Sequence, residues 1–378
     1  MSRASARVDL SAIRRNLGRI GELAGSADVM AVVKADAYGH GLVPVARAAR
    51  AAGTSWLGVA LPSEALALRS AGDDGRVLAW LWSPGDESID ACVAGSVDLS
   101  ISSSWALAEV VAAVARVGRP ARVHVKVDSG LSRNGVGPAE WPHLIDALVR
   151  AQTDGSIEVE AIWSHLADAD LPGAATVPAQ HERFLRAIDS AGAAGISPRL
   201  RHLSNSGGLW AYPGLRFDLV RTGIAMYGLT PAPNLGTAAE LGLEPAMTLR
   251  ASLASVKSVD AGTSVSYGST WTTSVPTTLG LVPLGYADGV PRASGGRVEV
   301  AVNGRRYPAV GRTAMDQFVI DLGTADVQPG DEAILFGPGR HGELTADEWA
   351  GRIDTIGYEL VTRLGSRVPR EYVGEVVA

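Results

Sequence analysis

The stretch DVMAVVKADAYGHGLVPVARAARAAGTSWLGVAL, residues 28–61, decides the fold. It begins with an apolar run at 28–34 that does not alternate with polar residues, so it reads as a strand covered on both faces. LVPVARAARAAG (42–53) has the spacing of an amphipathic helix, and SWLGVAL (55–61) is a second apolar run. A strand, a helix and a strand in that order form a parallel crossover. The first run ends on a single amine, Lys34, followed by an acid, an aromatic and two glycines around a histidine.

The same rhythm continues outward. Further strands are expected at 76–82, 97–102, 121–127, 157–164, 199–204 and 217–223, with helical patterns at 63–72, 103–118 and 138–152. Eight such units within about 240 residues match an α/β fold of the (β/α)8 TIM-barrel type. The open doubly wound sheet is the alternative, and the region of alternating strands and helices has no GxGxxG in its favour. From about residue 240 the texture becomes β-rich. AMTLRASLASVKSV alternates, RVEVAVNGRRYPAV reads as a hairpin turning at Asn303-Gly304, and QFVIDLG and DEAILFG are short strands. One helix, TADEWAGRIDTIGYELVTRLG with Thr345 as N-cap, is expected to close this region. Pro231 and Pro233 mark a linker. The expected division is a cofactor-binding barrel over 8–236 and a β-rich domain over 237–378, joined by residues 1–7.

Composition narrows the function classes. Of 378 residues, 46% are hydrophobic and 20% charged, which allows a large packed core. The net charge of −6 argues against nucleic acid or an anionic membrane as the main partner. The single cysteine, Cys92, cannot form a disulfide within the chain, which fits a reducing compartment. MSRASARVDLSAIRRNL has no apolar secretory core, and no run approaches the roughly 18 apolar residues of a membrane span, so a cytoplasmic location is expected.

In a barrel of this kind the chemistry sits at the C-terminal ends of the strands. Read in order, those ends carry Lys34, Arg133 in DSGLSRNGVG, His165 in SHLADAD, the SNSGG turn with Asn205 and Ser206, and Arg221 with Gly223 in RTGIAMYG. The last two turns follow strands seven and eight, where barrels often hold phosphate. Glycines there let backbone amides approach an anion, and Ser206 adds a hydroxyl. An amine facing a phosphate site suggests pyridoxal phosphate held by Lys34 as a Schiff base. His124 and His202 lie inside strands and are assigned to packing. Asp168 and Asp170 lack a His or Cys companion at ligand spacing, so no metal is expected.

AVVKADAYGHG resembles the cofactor-lysine motif of the alanine racemases. KVDSGLSRNG, WSHLADAD, NSGG, VRTGIAMYGL, SVSYGSTW, LGYADGVPR, GRTAMDQ and IGYELVTRLGSRVPR resemble further blocks of that family, in family order over nearly the whole chain. The resemblance implies a pyridoxal-dependent racemase of alanine that supplies D-alanine for the cell wall. It also implies a head-to-tail homodimer with shared sites. Lys34 and Tyr267 then resemble the two catalytic bases. Tyr38, Ser206, Gly223, Ile224 and Tyr358 resemble the phosphate ligands. Arg221, backed by His165, resembles the arginine facing the ring nitrogen. Arg133 and the backbone amide of Met315 resemble the carboxylate ligands. Tyr267 and Met315 would come from the partner subunit. Lys126 matches a lysine that is carbamylated in some relatives.

Inverting a stereocentre needs one base on each face, because a single fixed base returns the proton to the side it left. Tyrosine ordinarily ionises near 10, so that role needs positive charge nearby. An arginine at the ring nitrogen disfavours a pyridinium and weakens the electron sink, which limits side reactions. A racemase acting on serine or on another small or basic amino acid is the alternative of the same class. A decarboxylase of basic amino acids would need a catalytic cysteine in the β-rich region, and a non-catalytic cofactor-binding barrel would have no such region.

Overall fold

The computed structural model describes residues 3–374. Eight parallel strands form the barrel: Asp28–Val32, Trp56–Val59, Arg76–Ala79, Asp98–Ile101, Ala121–Lys126, Ile157–Trp163, Leu200–His202 and Leu219–Thr222. Each pairs with the next from the first to the seventh, and the eighth pairs with the first, with Met30 opposite Arg221. The seventh and eighth are bridged by backbone bonds from Asp218 N to Arg201 O (3.1 Å) and from Arg221 N to Ser204 O (3.0 Å). All eight expected strands are present. Several end earlier than the apolar runs suggest, as at Leu61 and Leu81, which lie past the last strand residue and are exposed.

The helix Leu10–Ala24 was not legible as part of the barrel. Asp9 caps it, accepting from Ser11 N and Ala12 N, and it buries Ile13, Leu17 and Ile20 at helical spacing. After the eighth strand only a short 3-10 turn follows, Ile224–Tyr227. Asn16 ties the helix there by donating to Met226 O (3.1 Å) and Glu244 O (2.9 Å).

The strand Ala4–Asp9 lies in the sheet of the β-rich region, antiparallel to Met247–Ser252 and parallel to Arg370–Val373. That nine-stranded sheet thus gathers both ends of the described chain. The expected hairpin is present, Glu299–Val302 against Arg305–Val310, with Asn303 at positive φ.

The single closing helix is a correction. Thr345 does cap Ala346–Arg352, with Glu348 completing a capping box. Asp354 then takes φ 58°, Ile356 is extended, and a second helix runs over Gly357–Thr362. The intervening IDTI is rich in β-branched residues, which favour helix weakly. The chain folds back so tightly that a Cβ on Gly357 would meet Asp347. This break places Tyr358 at the barrel mouth. Among the described residues, no helix is long and apolar enough to cross a membrane.

Candidate active site

The first barrel strand ends at Val32, and its ladder continues one step further, with Val33 N donating to Gly58 O (2.8 Å). Ala35, Asp36, Ala37 and Tyr38 then all adopt φ of 53–54°, a turn of left-handed helix built without glycine. Each such residue costs roughly 1–2 kcal/mol. The turn persists because its surroundings hold it. Glu64 accepts from Ala35 N (2.6 Å), and its other oxygen takes Ala60 N and Leu61 N. Asp36 accepts from Leu42 N (2.8 Å), and Arg370 donates to Gly39 O (2.8 Å). The result is that Lys34 and Tyr38 face the same space, with the amine 6.0 Å from the phenol ring centroid. Strain of this kind is typical of functional sites.

That space is a cavity of about 420 Å³ at the C-terminal ends of the strands. Lys34, Tyr38, Arg133, His165, Asn205, Ser206, Arg221, Gly223, Ile224 and Tyr358 all line it. It holds four cationic side chains, counting Lys126, and no carboxylate. A cavity with that balance is built for an anion. Burial pushes the Lys34 amine below its ordinary pKa, Arg133 adds to the effect, and Glu64 opposes it. Lys126 is pushed down to about 7 by burial and then by Arg221 and Arg133, and its amine lies 4.4 Å from the Trp163 ring centroid. Tyr38 and Tyr358 are raised by burial, so both are protonated donors at neutral pH.

At the opposite side, Asn205 caps the turn Ser206–Ala211 by accepting from Gly208 N (3.0 Å). The Ser206 hydroxyl oxygen accepts from Gly223 N (3.0 Å). A Cβ on Gly223 would lie 2.3 Å from the Tyr38 hydroxyl, so glycine there lets the phenol reach the turn. Arg221 is buried and held through both terminal nitrogens. It donates to His202 Nδ1 (3.1 Å), Ser164 O (2.9 Å), Leu203 O (3.0 Å) and His165 Nδ1 (3.1 Å). Burial, with Arg133, pushes its pKa down to about 9, so it remains a cation at neutral pH. His165 and His202 are held well below their ordinary pKa by burial and by Arg221. His124 and His202 are buried as expected, but they are hydrogen-bonded to each other (2.9 Å) and not merely packed.

Tyr267 and Met315 do not line this cavity. They lie in the β-rich region, 71% and 53% exposed. The loop presenting Tyr267 is strained on both sides, with Ser266 at φ 62° and Ser269 at φ 47°, and Ser266 donates to Arg312 O (2.7 Å). Trp80, Trp163, Val32 and Thr362 line the cavity and were missed from sequence. The first two stand at or just past the ends of barrel strands, so the strand-end rule alone could have found them.

The donor set fits pyridoxal phosphate. An amine with a lowered pKa shares the cavity with hydroxyl and amide donors for a dianion and with a fixed guanidinium. Such a site can bind an anion, exclude water and move a proton at the amine.

The model described as "Alanine racemase, N-terminal domain" matches residues 8–231, and "Alanine racemase, C-terminal domain" matches 246–372. The chain is 52% identical to the alanine racemase of Streptomyces coelicolor, over 99% of this chain and 96% of that one. It is also 52% identical to that of Thermobifida fusca, over 99% of each. Its structure superposes on the crystal structure of alanine racemase from D-cycloserine-producing Streptomyces lavendulae with a TM-score of 0.98, at 50% identity over 99% and 98% of the two chains. The alanine racemase of Bacillus anthracis, solved with bound L-Ala-P, gives 0.90 at 34% identity over 100% and 96%.

Proposed function

The chain belongs to the alanine racemase family, and on that premise we propose that it interconverts L- and D-alanine with two bases. Lys34 serves one face of Cα, and Tyr267 of the partner subunit serves the other. The family depends on pyridoxal phosphate, which when bound supplies an electron sink that acidifies the Cα–H of an amino acid joined to it. Lys34, Tyr38, Ser206, Gly223, Ile224 and Tyr358 hold that group in this reading, with Asn205 and His165 supporting and Arg221 toward its ring nitrogen. Arg133 and the Met315 amide of the partner subunit take the substrate carboxylate.

The observation that carries the reading is the Lys34 amine, buried among cations in a cavity without a carboxylate. Its lowered pKa brings the neutral amine, the form able to take a proton, within easier reach. Exposure of Tyr267 and Met315 on a strained surface supports a head-to-tail homodimer in which the β-rich region (237–378, with 1–7) completes the other copy's barrel (8–236). Of these spans, residues 1–2 and 375–378 lie outside the described residues. A cytoplasmic enzyme supplying D-alanine for peptidoglycan fits one buried, unpaired thiol, Cys92. The cavity is small for a space that must hold cofactor and substrate together, which favours alanine over larger amino acids. The test is turnover of a panel of L-amino acids with chiral detection. Alanine is expected to give the highest kcat/KM, and a higher value for serine or a basic amino acid would replace this reading.

A further inference from the structure

A row of polar side chains runs from the cavity wall into the barrel interior, and of its four members Arg221 lines the cavity. Asp98 starts the fourth strand, His124 lies within the fifth, His202 ends the seventh and Arg221 is in the eighth. Asp98 Oδ2 is 3.2 Å from His124 Nε2, His124 Nδ1 is 2.9 Å from His202 Nε2, and His202 Nδ1 is 3.1 Å from Arg221 Nη1. All four side chains are buried.

Hydrogen accounting fixes every proton in this row. A guanidinium has donors only, so His202 Nδ1 must be bare. His202 then carries its proton on Nε2 and donates it to His124 Nδ1. That leaves His124 with its proton on Nε2, facing the Asp98 carboxylate, which accepts. Were His124 doubly protonated, its Nδ1–H would require His202 to be bare on both nitrogens. The row therefore runs one way, from cation to anion, with no group left unsatisfied. Asp98 is anchored from the barrel floor, where Arg122 Nε (2.9 Å) and Arg76 Nη2 (2.7 Å) donate to it. The rings cannot turn over freely. Trp56 meets His124 edge-on at 5.2 Å between centroids, and Trp163 stacks on His202 at 5.3 Å.

We propose that Asp98 and His124 are positioning residues for Arg221, acting through a one-way hydrogen-bond chain that keeps His202 Nδ1 bare and so fixes the guanidinium at the cavity floor. This rests on the reading of the chain as a pyridoxal-dependent racemase. Without Asp98 and His124, Arg221 alone opposes a proton on His202 Nδ1, and a proton that moves there sets donor against donor. The guanidinium would then shift or tilt. A purely structural role for Asp98, as the centre of an ion cluster with Arg76 and Arg122, makes no demand on either tautomer.

The test is long-range proton–nitrogen NMR of the holoenzyme labelled with nitrogen-15 histidine, in the wild type and in His124→Phe and Asp98→Asn. In the wild type both rings are expected as single Nε2–H tautomers. In His124→Phe, where a ring still packs against Trp56, His202 is expected to split into two tautomers. Alanine kcat should fall roughly tenfold, the scale of one buried hydrogen bond to a charged group, with KM changed by less than about twofold because Arg133 is untouched. Asp98→Asn is expected to give the same split at His124. An Nδ1–H tautomer at His202 in the wild type overturns the proposal, as does an unsplit His202 in a folded His124→Phe. If neither variant folds, the wild-type spectrum decides. A wild-type enzyme inactive on alanine overturns the functional reading instead, and its histidine spectrum still decides the chain.

Discussion

Replacing Gly223 by alanine tests whether the phosphate end of the site is built by close approach. The new Cβ would lie 2.3 Å from the Tyr38 hydroxyl and 2.9 Å from its Cζ. Ordinary contact begins at 3.4 Å, so the hydroxyl must retreat by about 1.1 Å, the difference of the two distances. It has little room. The Tyr227 ring lies 4.8 Å away on one side and Tyr358 6.2 Å away on another. The backbone beneath Tyr38 is the left-handed turn tied down by Glu64 and Asp36. A retreat of that size takes the hydroxyl out of hydrogen-bond reach of a phosphate oxygen. Losing one bond to a charged acceptor costs roughly 1.5–3 kcal/mol, or about 10- to 150-fold in cofactor affinity. The assay is equilibrium titration of the apoenzyme with pyridoxal phosphate, followed by absorbance, for Gly223→Ala, Tyr38→Phe and the double variant. If the glycine acts through the phenol, each single change weakens binding to a similar degree, and the double variant is no weaker than the worse single. Wild-type affinity in Gly223→Ala, or losses that multiply in the double variant, would refute the reasoning.

Mixing Lys34→Ala chains with Tyr267→Phe chains should recover about one quarter of wild-type racemase activity, since half the dimers are mixed and half their sites are intact. No recovery, with subunit exchange shown by mass spectrometry, would count against shared sites. Burial raises Asp347 from 3.8 to about 6. The folded state therefore binds the extra proton between those values, and stability falls as pH rises through that window. Asp347→Asn keeps an acceptor for the Thr230 N–H (3.0 Å) and should add on the order of 2 kcal/mol in urea melts at pH 8, with little gain at pH 4. The opposite pH trend would show the sign to be wrong. Lys126, with its pKa pushed to about 7, has enough neutral amine to add carbon dioxide. A carbamate resonance is expected by carbon-13 NMR in labelled bicarbonate and should vanish in Lys126→Arg; its presence in that variant would place the carbamate elsewhere.

Much of this architecture was open to a reader of the sequence because barrel strands write their burial directly into composition. Apolar runs without alternation, spaced by amphipathic helices, leave few other folds. The strand-end rule carries Lys34, Arg133, His165, Ser206 and Arg221 to one rim from sequence alone, and the cavity brings them together. What escaped is set by pairing and not by local preference. Leu10–Ala24 looks like any surface helix until Asn16 is seen bonded across to Met226 and Glu244. His124 and His202 are 78 residues apart in sequence, and only the barrel's closure puts their rings in contact.

The left-handed turn after Lys34 shows the limit most sharply. Nothing in Ala-Asp-Ala-Tyr asks for positive φ, since none of the four is glycine and Ala and Tyr have strong reasons to avoid it. Summed at roughly 1–2 kcal/mol each, their preference for the right-handed form comes to several kcal/mol. Local propensity therefore predicts the wrong hand. The opposing term is distributed over distant partners: the Glu64 carboxylate on Ala35 N, the Arg370 guanidinium on Gly39 O, and Val361 crowding Gly39 so closely that no Cβ fits. A right-handed turn would carry Tyr38 away from Gly223 and separate the phenol from the amine four residues earlier. The site is thus bought with backbone strain that only the assembled barrel can offset, and its geometry becomes readable only once the partners of that turn are known.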